Sequence, residues 1–264
     1  MSAKIGYILV DIDDTVVATD GSDRREYEEG RRQFTHLIGL SNQGIIPPIE
    51  FCTGREASYV LGFLRWIAIP DCWSIVESGL ILYNPRTQER KEHPLFTPER
   101  QEMFREVKGA HIPRLLKRFP FLAPYKGKEW NIALERGGGA PPIAECERVV
   151  KETLAGIPGI TIHASSIAVD ISPEGIDKGA GVLYLADTTG VDPRTMLLID
   201  DSVGGKPAAD QVGFLACPAD IEDKRFQQEV ERREAEGKGH VSPCKLVEGV
   251  VETICFFTGV PLAA

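Results

Sequence analysis

Short apolar runs alternate with amphipathic stretches in the first third of the chain. Continuous β-rich runs predict buried strands at Lys4 to Val10, at Ile49 to Cys52 and in "WSIVE", which ends at Glu77. Apolar positions recur at helical spacing between these runs, over Asp23 to Leu40 and over Glu56 to Ile67. Strands separated by helices predict a parallel sheet with right-handed crossovers, which is the doubly wound α/β architecture.

Helix-start signals support two of the predicted helices. Asp23 is followed three residues later by Glu26, which is the spacing of a capping box. Later in the chain, Asp177 can cap a helix that runs to about Thr189 and ends before Gly190. The strand "TMLLID" follows that helix, and "VGFLA" begins another strand-helix unit. The alternation of strands and helices therefore resumes in the last third of the chain.

Between these two blocks the chain becomes rich in proline and glycine. "TPE" is a helix start, "EWNIALE" alternates like a strand, and "TIHA" with "IAVDI" is typical of a hairpin. Apolar positions at helical spacing between Ile143 and Leu154 predict a further helix. We therefore predict a Rossmann-like core formed by residues 1–82 and 170–264, interrupted by a smaller α+β domain at residues 83–169.

Composition narrows the possible partners and compartments. The 264 residues carry a formal net charge of -9, which disfavours a nucleic-acid partner because phosphate backbones attract clustered Lys and Arg. The six cysteines are scattered and form no Cys-x-x-Cys pair, so we expect reduced thiols. No apolar run approaches the roughly 18 residues of a spanning helix. We expect a cytoplasmic protein without a membrane partner, and the sequence leaves its oligomeric state open.

Acidic residues follow two of the predicted strands directly. Asp11 and Asp13 come after the first strand, and Asp200 and Asp201 come after "TMLLI". Ligands of open parallel sheets bind at the carboxyl ends of strands, so neighbouring strands would bring these carboxylates into one crevice. Their mutual repulsion requires a cation, and hard oxygen ligands suit Mg²⁺. Taken alone, Asp13 could instead cap a turn after the strand.

Two further elements place polar groups at strand ends or helix starts. "CTGR" puts Thr53, Gly54 and Arg55 after the second strand, and "DKG" puts Lys178 at a helix N-terminus. Singly, a threonine in a turn and a surface lysine are ordinary features. Their order along the chain, at strand ends and helix starts together with the two acidic clusters, weakens the interpretation that Asp13 only caps a turn.

This four-part pattern resembles that of the haloacid dehalogenase (HAD) superfamily phosphatases. Asp-x-Asp-x-Thr, Thr-Gly-Arg, a lysine that opens a late helix and a final acidic pair occur here in the family's order over nearly the whole chain. The position of the inserted domain is similar to that of the Cof-type group, whose insert is a large α/β cap domain. The resemblance implies a phosphoric monoester hydrolase.

The resemblance also implies a role for each matching residue. Asp11 would be the nucleophile and Asp13 the general acid and base. Thr53, Gly54, Arg55 and Lys178 would bind the phosphoryl group with Thr15, which would also order the nucleophile loop, and Lys178 would stabilise the transition state. Mg²⁺ would be bound by Asp11, Asp13 through its carbonyl, Asp200 and Asp201.

The sequence departs from the Cof-type pattern after the last acidic pair. Many members carry Gly-Asp-x-x-Asn-Asp there, whereas this chain has Val203 and Gly204 at the last two positions. Lys206 is a second candidate cation nearby, but its setting before Pro207 predicts a turn into a short helix. The departure leaves open how the metal ligands are supported.

The sequence is compatible with more than one substrate and more than one reaction class. "GFLACPAD" resembles a segment of phosphoglycolate phosphatases, while the overall plan is equally similar to that of sugar-phosphate phosphatases. Candidate contacts to the leaving group in the inserted domain are Lys126, Lys128, Trp130, Arg136 and the glycines 137–139. A phosphotransferase or phosphomutase of the same fold, a receiver-type signalling domain and a catalytically silent phosphate-binding protein are the competing hypotheses.

Overall fold

Five parallel strands form the central sheet of the computed structural model, which describes residues 5–19, 27–165, 168–221 and 223–261. The strands are β1 (Tyr7–Val10), β2 (Ile49–Phe51), β10 (Met196–Ile199), β11 (Phe214–Cys217) and β12 (Gly239–Val241). Their order across the sheet is β12-β11-β10-β1-β2. The prediction of a doubly wound α/β fold is confirmed. Its two acid-bearing strands are neighbours, because Val10 pairs with Ile199 in the β1–β10 ladder.

Six helices accompany this sheet, and their bounds are α1 (Glu28–Asn42), α2 (Ala57–Trp66), α6 (Lys178–Thr189), α7 (Lys206–Ala209), α8 (Lys224–Glu234) and α9 (Leu246–Thr258). Val182 and Leu185 of α6 pack in one buried cluster with Leu9 and Leu198 of the sheet. Phe34 of α1 contacts Phe51 of β2 edge to face, with ring centroids 6.3 Å apart. Helices therefore cover both faces of the sheet, as the continuous apolar strands require.

The caps of α6 agree with the sequence prediction. Asp177 accepts a hydrogen bond from the Ala180 amide at 2.9 Å, and Gly190 ends the helix in the left-handed conformation at φ 74°. The capping box predicted from Asp23 and Glu26 lies outside the described residues. The polar stretch after residue 220 forms α8, a solvated helix in which Arg233 pairs with Glu229, with Nε 3.0 Å from Oε1.

A small second sheet extends the first unit. It contains β3 (Ser74–Val76), β4 (Ile81–Tyr83) and β5 (Arg90–Glu92) in that order, and β3 and β4 are antiparallel. Glu77, Ser78 and Gly79 between β3 and β4 form a tight turn in which all three residues have positive φ angles. The Ile75 carbonyl accepts a hydrogen bond from the Thr53 amide at 2.9 Å, so β3 lies beside the end of β2.

The second unit spans Glu92–Ile176. Its antiparallel sheet has the order β6-β7-β9-β8, with β6 (Leu122–Pro124), β7 (Ile132–Arg136), β8 (Ile160–Ala164) and β9 (Ala168–Pro173). Its helices are α3 (Pro98–Glu106), α4 (Ile112–Arg118), which follows a π-helical turn at Val107–His111, and α5 (Ile143–Leu154). The unit is an α+β structure, and β8 pairs antiparallel with β9 as the predicted hairpin.

The bounds of this unit differ from the predicted insert at residues 83–169. The chain divides after Lys91 and again before Asp177. At the first boundary, residues 83–91 stay with the first unit because β4 pairs with β3 there. At the second boundary, β9 continues its pairing with β8 as far as Pro173. A boundary at residue 169 would cut through that strand, which the proline-rich composition did not reveal.

One carboxylic acid lies inside the core of the first unit. Glu50 of β2 is fully buried and pairs with Leu9 of β1, so it lies on the sheet face that packs against α6. Its Oε2 accepts a hydrogen bond from the Ser74 hydroxyl at 2.7 Å. Burial raises the pKa of Glu50 to about 8, because the charged form would lose its hydration there.

Among the described residues, no helix combines the length and the apolar character that crossing a membrane requires.

Candidate active site

The two acid-bearing loops meet at the carboxyl ends of β1 and β10. The Asp11 amide donates a hydrogen bond to the Ile199 carbonyl at 2.9 Å, which continues the β1–β10 ladder to the first acidic residue. Asp11 is 8% exposed, and Asp200 is completely buried. A parallel pair of strands therefore fixes the backbone of Asp11 beside the start of the second acidic loop, as the sequence predicted.

Lys178 bridges the two acidic loops. Its ammonium lies 3.3 Å from Asp11 Oδ1 and donates a hydrogen bond to Asp200 Oδ2 at 3.0 Å. Burial opposes the charge of Lys178, but the Asp11 and Asp200 carboxylates together raise its pKa well above the ordinary value. The lysine therefore remains an ammonium at the first turn of α6, where Asp177 has already capped the helix.

A third carboxylate completes an oxygen cluster. One ligand atom from each of Asp11, Asp200 and Asp201 lies within 4.8 Å of the others. Burial raises the pKa of Asp11 to about 7, with the Lys178 ammonium opposing the shift and the Asp200 carboxylate adding to it. Burial, followed by the charges of Asp200 and Asp11, raises the pKa of Asp201 to about 8. One lysine does not neutralise three acids.

The cluster fits a hard divalent cation. Asp11 Oδ1 is buried, and although the Lys178 ammonium lies 3.3 Å away, no group among the described residues makes a hydrogen bond to it. A buried carboxylate oxygen without a donor is costly unless a further positive group binds it. Carboxylate oxygens are the ligands that Mg²⁺ prefers. Asp11, Asp200 and Asp201 therefore present a donor set that suits a divalent metal ion.

Asp200 is held in one orientation by its own loop. Its Oδ1 accepts hydrogen bonds from the amides of Asp201 at 2.9 Å and Ser202 at 3.2 Å. Gly205 lies directly against the carboxylate, because a Cβ at that position would come within 2.3 Å of Oδ2. Only glycine allows the loop to fold back this closely over the acid.

Arg55 forms an ion pair with Asp13. Its Nε donates to Asp13 Oδ2 at 2.7 Å and its Nη2 donates to Asp13 Oδ1 at 2.9 Å. The guanidinium carbon lies 4.7 Å from the ring centroid of Tyr59, which supports it from α2. Arg55 thus binds the predicted general acid and base in a two-point contact, and its predicted contact to substrate phosphate stays a prediction.

Thr15 links the first loop to the second. It is fully buried, and its hydroxyl donates to Asp201 Oδ1 at 3.3 Å. Asp14, at φ 54°, turns its carboxylate away to accept hydrogen bonds from the amide and the hydroxyl of Thr19 at 2.8 Å each. Asp14 therefore serves the turn, whereas Thr15 is one of the polar groups that surround the cluster.

The Thr-Gly-Arg segment lies at the end of β2 with a neighbour that the sequence reasoning missed. Thr53 is fully buried, and its hydroxyl accepts a hydrogen bond from the Arg55 amide at 3.2 Å. Ser78 donates its amide to the Thr53 carbonyl at 3.0 Å, and its hydroxyl oxygen would lie 3.4 Å from a Cβ on Gly54. Ser78 follows strand β3, so the rule that ligands bind at strand ends could have identified it.

Several other candidates have different surroundings. Lys206 pairs with Asp210 at 2.8 Å and is 60% exposed, so it is a surface residue at the start of α7, as predicted. In the second unit, Lys128 pairs with Asp170 at 3.1 Å, and the Trp130 indole donates to Glu92 at 3.1 Å. The predicted leaving-group contacts of the second unit therefore include two side chains that already have partners within that unit.

Comparison with known proteins identifies the fold. No protein-family model matches the sequence, and no curated protein matches it. Among solved structures, sucrose-phosphatase from Synechocystis sp. PCC6803 has a TM-score of 0.67 and 16% sequence identity, with 96% of this chain and 98% of that chain covered.

Two further structures give the same result. A HAD superfamily phosphatase from Bacteroides thetaiotaomicron has a TM-score of 0.62 and 14% identity, with 98% and 97% of the two chains covered. A HAD subclass IIB sugar phosphatase has a TM-score of 0.62 and 12% identity, with 97% and 100% covered. These structural neighbours are HAD superfamily phosphatases, and the chain has their fold over nearly its whole length.

Proposed function

We propose that this protein is a magnesium-dependent phosphomonoesterase that hydrolyses a small phosphorylated metabolite in the cytoplasm through an aspartyl-phosphate intermediate. The observation that carries the proposal is the contact of Lys178 with both Asp11 and Asp200, at the ends of neighbouring strands. This contact brings two carboxylates and an ammonium into one buried cluster, which supports Asp11 as nucleophile, Lys178 as phosphate-binding cation and Asp200 as metal ligand. The fold of HAD phosphatases supports the same activity.

In the first half of the reaction, an Asp11 carboxylate oxygen attacks phosphorus. The phosphorus–oxygen bond to the leaving group breaks, and the departing oxygen takes a proton from Asp13. Lys178 and the Thr53 hydroxyl bind the phosphoryl oxygens, whose negative charge the ammonium stabilises in the transition state. The products of this half are an alcohol and the phosphorylated Asp11.

In the second half, Asp13 accepts a proton from water as the water oxygen attacks phosphorus. The bond to Asp11 breaks, which releases inorganic phosphate and restores the carboxylate. Arg55 orients the Asp13 carboxylate for this step through its two hydrogen bonds. Asp11, Asp200 and Asp201 would hold Mg²⁺, with the Asp13 carbonyl as the family pattern implies, and the bound ion supplies positive charge next to the phosphoryl group.

The test is turnover of a panel of phosphate esters by the pure protein. The panel contains p-nitrophenyl phosphate, several sugar phosphates and phosphoglycolate, each assayed with magnesium and with a chelator. Sugar phosphates are tested first because two of the structural neighbours are phosphatases of sucrose phosphate and of sugars. Release of free phosphate separates a hydrolase from a phosphotransferase or mutase. Absence of metal-dependent turnover on every ester would refute the proposal.

A further inference from the structure

The loop after β10 lacks polar side chains at the two positions where many Cof-type phosphatases carry Asn and Asp. Val203 and Gly204 occupy these positions, and neither can donate or accept through its side chain. Side-chain support for this loop must therefore come from residues at other positions. Metal ligands generally depend on such supporting contacts for a large part of their affinity.

Asp223 makes a contact of this kind from a distant part of the chain. Its Oδ2 accepts a hydrogen bond from the Val203 amide at 3.2 Å. Its Oδ1 accepts from the amides of Arg225 at 3.0 Å and Phe226 at 3.3 Å, so the same carboxylate caps α8. The Asp223 side chain thus connects the loop after β10 to the first turn of α8 by hydrogen bonds.

The backbone on both sides of Val203 connects the Asp223 hydrogen bond to the Asp200 carboxylate. Ser202, which precedes Val203, donates its amide to Asp200 Oδ1 at 3.2 Å. The Ser202 carbonyl accepts from the Gly205 amide at 3.0 Å, and Gly205 packs against the other side of the same carboxylate. A shift of the Val203 amide would move Ser202 and Gly205, which are two of the backbone groups that contact the Asp200 carboxylate. Burial of Asp223 opposes its charge, but the backbone donors, with Val203 first, lower its pKa.

We propose that Asp223 is a positioning residue of the metal site, which keeps Asp200 and Asp201 oriented toward a divalent cation by holding the Val203 amide. The proposal rests on the proposed function only in that these acids bind magnesium. Asp223 itself touches neither the metal nor the substrate. Its hydrogen bond to the loop replaces the side-chain contacts that Val203 and Gly204 cannot make.

Asp223→Asn separates this role from helix capping. Asparagine is as good an N-cap as aspartate, because its single oxygen can accept the helix amides. Its NH₂ group, however, would face the Val203 amide and cannot accept from it. Calorimetric titration with magnesium chloride should show about 10- to 100-fold weaker binding than in the wild type. The unfolding midpoint in chelator should stay close to that of the wild type.

Val203→Pro removes the donor from the other side of the same hydrogen bond. Val203 is the first residue of a short 3₁₀ turn, and Ser202 before it is extended at φ -148° and ψ 164°, so the chain can accept a proline there. The variant should weaken magnesium binding, and Asp223→Asn should add little to the loss when the two are combined. Asp192→Asn is the matched control, since Asp192 caps a separate 3₁₀ turn through the Arg194 amide.

The outcomes distinguish the two proposals. If the wild type binds magnesium and hydrolyses esters while Asp223→Asn binds magnesium equally well, the positioning role is wrong and the proposed function stands. Strictly additive losses in the double variant, or the same loss in Asp192→Asn, would also overturn the positioning role. If the wild type binds no magnesium, both the positioning role of Asp223 and the metal dependence of the proposed function are wrong.

Discussion

Arg55 holds Asp13 by two parallel hydrogen bonds, of 2.7 Å and 2.9 Å, with both carboxylate oxygens engaged. The pair is partly exposed, at 23% for the arginine and 30% for the aspartate side chain. With both oxygens engaged, the Asp13 carboxylate is held in one orientation. To donate a proton to a leaving group, one of its oxygens has to leave the guanidinium.

Substitution of Arg55 should therefore affect the step that depends on Asp13. Arg55→Lys keeps the charge and loses the two-point contact, so Asp13 loses its fixed orientation. We expect kcat for an alkyl phosphate to fall about 10- to 100-fold, with a smaller loss for p-nitrophenyl phosphate, whose leaving group needs no proton. Arg86→Lys, at an exposed pair with Asp71, is the control. Equal losses on both esters would contradict this role.

Asp11→Asn should abolish turnover and leave the fold intact. The amide is nearly isosteric with the carboxylate and keeps the backbone hydrogen bond to Ile199, but it cannot displace an alkoxide. We expect kcat to fall by at least about 1,000-fold on every ester, measured beside circular dichroism and the unfolding midpoint. Activity within tenfold of the wild type would exclude Asp11 as the nucleophile.

Asp200 and Asp201 should contribute unequally to magnesium binding. Asp200 follows the strand directly and is fully buried beside Lys178, whereas Asp201 is partly exposed and accepts a hydrogen bond from Thr15. Calorimetry should show that Asp200→Ala weakens magnesium binding more than Asp201→Ala does. Lys206→Ala should change little, because that side chain pairs with Asp210 at the surface. If Asp201→Ala lost magnesium binding while Asp200→Ala retained it, Asp201 would be the stronger metal ligand and the prediction would be wrong.

Gly205→Ala tests the close approach of the loop to Asp200. The backbone of Gly205, at φ -80° and ψ -9°, accepts any residue, so an effect must come from the added methyl group. That group would collide with the Asp200 carboxylate, whereas a Cβ on Gly204 meets only the Ser202 hydroxyl at 3.3 Å. We expect Gly205→Ala to weaken magnesium binding and lower the unfolding midpoint, and Gly204→Ala to do neither strongly. Similar behaviour of the two variants would contradict this explanation.

Glu50 should make the stability of the protein depend on pH. Its pKa is raised from the ordinary 4.5 to about 8 in the folded state, so the unfolded chain releases this proton first. Its contribution to the free energy of unfolding is complete below about pH 4.5 and decreases up to pH 8, by at most about 1.4 kcal/mol per pH unit. Above pH 8 the decrease ends.

Glu50→Gln removes that titration and keeps an amide oxygen for the Ser74 hydroxyl. Urea unfolding at pH 5, 6.5 and 8 should therefore show the variant gaining stability relative to the wild type as pH rises. Glu89→Gln, at an exposed position, controls for the loss of one charge. A constant difference between Glu50→Gln and wild type across this range would show that Glu50 does not titrate as inferred.

The sequence predicts the parts of the fold that depend on local pattern. The apolar runs locate β1 and β10, and Asp177 with Gly190 locates both ends of α6, because a cap or a strand is determined by neighbours in the chain. The acids at strand ends follow from the same pattern. The rule for parallel sheets then predicts that Asp11 and Asp200 lie close together.

Local sequence patterns do not predict features that depend on contacts between residues far apart in the chain. The sequence gives no sign that Arg55 contacts Asp13, which follows a different strand. The glutamate in "PPIEF" looks like an ordinary polar residue, although Glu50 is fully buried. Asp223 carries no sign in the sequence of its bond to Val203, since only the packing of α8 beside the acidic loop brings the two together.

The strand order of the central sheet has a consequence for the synthesis of the chain. β1 leaves the ribosome first, yet its neighbours are β2 and β10, and β10 follows only after the whole second unit has been made. One edge of β1 therefore stays unpaired during most of translation, a state in which strand edges are prone to aggregate. The Lys178 bridge between Asp11 and Asp200 forms in the same late step, so the candidate active site is assembled only when β10 pairs with β1.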